Sequence, residues 1–66
     1  MELAEKARIR IEYWLQHNEN HLRDYREFAE QLESAGMYIG ASHIRNMAEL
    51  TSKSSQCLIE ALNALE

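Results

Sequence analysis

The sequence predicts an all-α fold, an antiparallel two-helix hairpin that dimerises into a four-helix bundle. Three observations lead there. The 66 residues contain no proline and only two glycines, Gly36 and Gly40, both in the short segment AGMYIG. On both sides of that segment, apolar and small residues recur at alternating steps of three and four, the spacing that builds one face of a helix. The second half, finally, is apolar on more than one side and asks for more than one neighbour.

The first helix is expected over about residues 3–35. Its stripe is Ala7, Ile11, Trp14, Asn18, His21, Tyr25, Phe28, Leu32 and Ala35. Glu5, Lys6, Glu12, Glu19, Arg23, Glu27 and Glu30 cover its back. Gly36 ends it, because glycine enters the left-handed region without a Cβ penalty. The turn takes about residues 36–39 and the second helix about residues 40–65. The second stripe is Met37, Ala41, Ile44, Ala48, Thr51, Ser55, Leu58, Leu62 and Leu65. So short a turn makes the helices antiparallel neighbours. With its centre near Tyr38, Trp14 is expected level with Leu62, His21 with Ser55, Tyr25 with Thr51, and Phe28 with Ala48.

Residues 1–66 form one small domain with a marginal core, since a chain near 60 residues buries only about 60% of its unfolded surface. The single cysteine, Cys57, excludes an internal disulfide framework and suits a reducing cytoplasm. A partner subunit or a metal is left to supply stability. Met47, Leu50, Cys57 and Ala61, away from the inner stripe of the second helix, are the expected homodimer interface; the same faces would also accept a different protein. A formal net charge of −4 argues against nucleic acid and against an anionic membrane surface. No apolar run approaches the roughly 20 residues of a membrane span. The opening MELAEKARIR has no apolar core of the kind a signal peptide needs.

The stretch HNENH, His17 to His21, is the one place where chemistry interrupts the helix pattern. Residues four apart share a helix face with Cβ atoms about 5–6 Å apart, so His17 and His21 point the same way. Asp24 falls on that side too. Two imidazole nitrogens and one carboxylate suit Zn²⁺, Ni²⁺ or Co²⁺. This is not the H-E-x-x-H protease motif, because Asn18 stands where its glutamate would be. The competing and favoured reading is structural. Asn18, His21, Tyr25, Thr51, Ser54 and Ser55 fall at similar heights and form a polar layer that fixes register. Histidines buried there as neutral rings would weaken the bundle in acid below about pH 6.5.

The run Trp14-Leu15-Gln16-His17-Asn18-Glu19-Asn20-His21, followed by Tyr25, Phe28-Ala29 and Gly36, resembles a group of small uncharacterised bacterial and archaeal helical-hairpin domains. Their shared run is W-[IL]-x-H-N-E-x-H, with an aromatic-Ala step, a glycine at the turn and an Ala-Leu ending. The resemblance implies the hairpin and singles out Trp14, His17, Asn18 and His21, but implies no activity. The function expected is a cytoplasmic, non-enzymatic, self-associating interaction or assembly module that needs no cofactor. The alternative is a small binding protein for a divalent metal or ligand, with Zn or Ni held on the His17/His21/Asp24 face.

Overall fold

The computed structural model describes residues 2–65. Two helices account for them, α1 over Glu2–Ser34 and α2 over Tyr38–Ala64. The fold is the expected all-α hairpin. Glu2 and Glu5 lie in the first turn of α1, where negative charge complements the helix dipole.

The reversal is tighter than the sequence suggests, taking only Ala35, Gly36 and Met37. Gly36 adopts φ 79°, and its N–H donates to the Glu33 carbonyl at 3.0 Å while the Met37 N–H donates to Leu32 at 2.8 Å. This pair of bonds is the Schellman cap that a left-handed glycine makes possible. α2 begins immediately, with the Ala41 N–H donating to the Met37 carbonyl at 3.0 Å. Gly40 is thus part of the first turn of α2, not of the loop. A Cβ there would meet Leu32 Cδ1 at 3.8 Å, ordinary contact, so packing does not demand glycine.

The inner stripe of α2 runs as expected from Ala41 to Leu65, but Met37 is exposed. α1 is rotated relative to expectation. Its seam is centred on Ala4, Ile11, Asn18, Tyr25 and Leu32, seven residues apart and all half-buried. Trp14 and Phe28, expected inside, are 45% and 50% exposed. Their neighbours Leu15 and Ala29 turn inward instead, and Ala35 is exposed in the turn. The cause is close approach of the two backbones. The buried residues among those described are three alanines, Ala29, Ala41 and Ala48, and a seam that tight has room for Ala29 but not for Phe28. The level of the helices also differs. Asn18, not His21, meets Ser55, a shift of about one helical turn.

The hairpin measures 52 × 14 × 11 Å. No large side chain among the described residues is fully buried. No described helix is long and apolar enough to cross a membrane.

Candidate docking face and histidine pair

The two long edges of the hairpin differ in chemistry. One is closed by Arg45, whose Nε donates to Glu33 Oε2 and whose Nη2 donates to Oε1, both at 2.7 Å. This bidentate fork holds the Glu33 carboxyl below its ordinary value, and the carboxylate raises Arg45 in turn. Planar two-point pairing gives this ion pair a defined geometry. The Lys6–Glu2 pair at 2.9 Å is exposed and contributes little.

That contact fixes the handedness of everything else. With about 100° per residue, placing Glu33 and Arg45 on one edge puts Trp14, His21 and Phe28, seven residues apart, on the other. His17 and Asp24 lie just outside them. From α2 the same edge receives Met47, Ser54 and Ala61, then Leu50 and Cys57 further round. Of these, Trp14, Phe28, Met47 and Leu50 are large exposed apolar side chains. Cys57 is a free, exposed thiol, and Ala61 is exposed. A shallow groove lined by Leu3, Ala7, Ile11 and Trp14, with Lys6 and Arg10 beside them, continues this surface toward the start of α1. The expected interface residues therefore share one face, and α1 adds Trp14 and Phe28 to it.

The histidines lie on this same face. His17 is exposed and His21 half-buried, so the burial that the structural reading requires is absent at His17. Their Nε2 atoms are 2.9 Å apart, with ring centroids at 4.4 Å and planes at 82°. At that distance one Nε2–H donates to the other's lone pair. Tyr13 stacks on His17 at 6.0 Å and Tyr25 on His21 at 5.5 Å. Four rings at successive steps of four thus form a ladder that holds both imidazoles in place.

The expected polar layer divides. Asn18 Nδ2 donates to Ser55 Oγ at 3.2 Å and to Ser54 Oγ at 3.4 Å, linking the helices across the seam. Thr51 is instead satisfied within α2, its Oγ1 donating to the Met47 carbonyl at 3.0 Å. Tyr25 contributes its ring to His21 rather than its hydroxyl to the layer. The histidines bond to each other, not to the serines. Asp24 does not join them: its Oδ1 lies 3.7 Å from Arg23 Nε. Among the described residues no group of three or more His, Cys, Asp or Glu side chains is placed to hold a metal ion. One copy of the chain therefore offers a cation two nitrogens.

Sequence reasoning missed the Tyr13–His17–His21–Tyr25 ladder, although its i, i+4 spacing was available. It also missed the Glu33–Arg45 fork, which depends on the turn geometry and has no local signal. No curated protein and no solved structure matches the chain. A family described as a domain of unknown function, DUF8180, matches residues 7–65. The chain, a small helical hairpin, belongs to that family.

Proposed function

We propose that the chain is a non-enzymatic assembly module that self-associates, two hairpins docking through the Trp14/Phe28/Met47/Leu50 face into a four-helix bundle. The observation that carries this reading is the accessible area. The hairpin exposes 5184 Å², whereas a compact monomer of its mass, 7.7 kDa, exposes about 4,300 Å². The excess of about 850 Å² is close to the roughly 800 Å² that each partner covers in a standard interface. Among the described residues only three alanines are buried, so the core of a two-helix unit this small is marginal, while Trp14, Phe28, Met47 and Leu50 stay exposed on one edge. A face of this kind on a monomer marks an interaction site.

Sedimentation equilibrium tests it. The expected species has twice the chain mass and resists dilution into the low micromolar range. The double variant Met47→Glu/Leu50→Glu should sediment as a monomer with reduced helicity. A wild-type chain that is fully helical and monomeric at every concentration would overturn the reading.

A further inference from the structure

The histidine pair sits near the midpoint of α1 (Glu2–Ser34), on the open edge, between Trp14 and Phe28. This position has a symmetry consequence that rests on the self-association proposed above. Homodimers are twofold and their interfaces isologous, each patch meeting its own copy. A twofold axis along the hairpin brings every level of one copy against the same level of its partner. A perpendicular axis with full overlap does the same for the middle level alone. Where the axis also lays α1 against the α1 of the second copy, His17 and His21 of one copy approach His17 and His21 of the other.

We infer that the paired histidines form a divalent-cation site completed by a second copy of the chain, two imidazoles from each, for a borderline ion such as Zn²⁺. Tetrahedral zinc takes nitrogen ligands at about 2.0–2.1 Å, which sets them about 3.3 Å apart. The present Nε2···Nε2 separation of 2.9 Å needs to open by only a few tenths of an ångström, with a rotation that turns both lone pairs to the metal. The proton now shared between the two Nε2 atoms moves to Nδ1 of the same ring, so both rings ligate as neutral imidazoles. The stacked Tyr13 and Tyr25 rings hold the pair oriented, which lowers the ordering cost of binding. A chain of net charge −4 also favours uptake of a cation. Among the described residues no group of three or more such side chains is placed to hold a metal, and the second copy supplies the two further nitrogens.

The test is zinc titration by calorimetry on metal-stripped full chain whose mass has first been fixed by sedimentation. The expected result is a metal-free dimer that takes one Zn²⁺ per two chains at micromolar or lower dissociation constant. His17→Ala and His21→Ala should each weaken uptake at least tenfold, and the double variant should abolish it while remaining a helical dimer. Both positions tolerate alanine, a strong helix former, so loss of uptake would not reflect unfolding. A dimer that takes up no zinc would overturn the site and leave the self-association intact. One zinc per chain would overturn its division between two copies. A metal-free monomer would instead contradict the self-association on which this inference rests.

Discussion

The two edges of the hairpin are built from the same helices yet do opposite things. At the closed edge, Arg45 and Glu33 meet in a bidentate pair. At the open edge, Trp14, Phe28, Met47 and Leu50 remain exposed around an imidazole pair. The contrast teaches which surface folding has finished with. The closed edge spends its charges on contacts within the chain, whereas the open edge keeps apolar area that folding alone leaves in water.

The seam that separates the edges should be the most sensitive point. Ala48→Asp would place an unpaired carboxylate at a 4%-exposed position, at a cost of several kcal/mol. Far-ultraviolet circular dichroism should show loss of most helix at ambient temperature. Retention of the wild-type signal would mean that the seam is looser than its alanines imply.

Next in size is disruption of the open edge alone. Trp14→Ala removes an aromatic anchor from the centre of the proposed interface, where such truncations cost about 2 kcal/mol or more. The dimer dissociation constant should rise by about thirtyfold or more at that cost. Ala substitution of Arg45 at the other edge should leave the constant nearly unchanged, and equal effects would erase the distinction between the edges.

A smaller effect is expected at the turn that joins them. Gly36 occupies φ 79°, where a Cβ costs about 1–2 kcal/mol. Gly36→Ala should therefore lower thermal stability by a few degrees without changing subunit stoichiometry. Nothing lies within 4 Å of a Cβ built there, so the penalty is backbone strain alone.

The smallest effect belongs to the fork itself, since both partners are solvent-accessible. Arg45 holds Glu33 below its ordinary value of 4.5. The folded state therefore binds the proton more weakly than the unfolded state. The fork's contribution is present above that ordinary value and fades as pH falls through the lowered one. Wild type and Arg45→Gln should thus differ slightly at neutral pH and converge below the usual carboxylate range. A difference that persists unchanged into acid would assign the effect of Arg45 to packing of its aliphatic stem.

The hairpin was legible in the sequence because its signals are local. Glycine punctuation placed the turn to within about two residues, and the α2 stripe followed directly from spacing. The rotation of α1 was not legible, because Trp14 and Phe28 satisfy the helical period as well as Leu15 and Ala29 do. Choosing between them depends on interaxial distance, which is a property of the pair of helices. The candidate site shows the same division. That His17 and His21 share a face follows from i, i+4 geometry, and the structure places them in contact. Asp24 fits the same geometry on paper, but its carboxylate projects elsewhere. That Asn18 shares a polar layer with Ser54 and Ser55 was legible and is what the structure shows. That Asn18 rather than His21 stands opposite Ser55 needed the register, which the Gly36 cap determines.

The central claim, that the open edge is where a second copy docks, has a built-in reporter. Trp14 is the single tryptophan of the chain and lies on that edge, 45% exposed in the lone hairpin. Intrinsic fluorescence should be followed across a dilution series while helicity is monitored in parallel. Docking predicts blue-shifted emission at high concentration that moves to the red on dilution, along the same curve as the sedimenting mass. Emission typical of an exposed indole, unchanged by concentration in a chain that stays helical, would contradict the account.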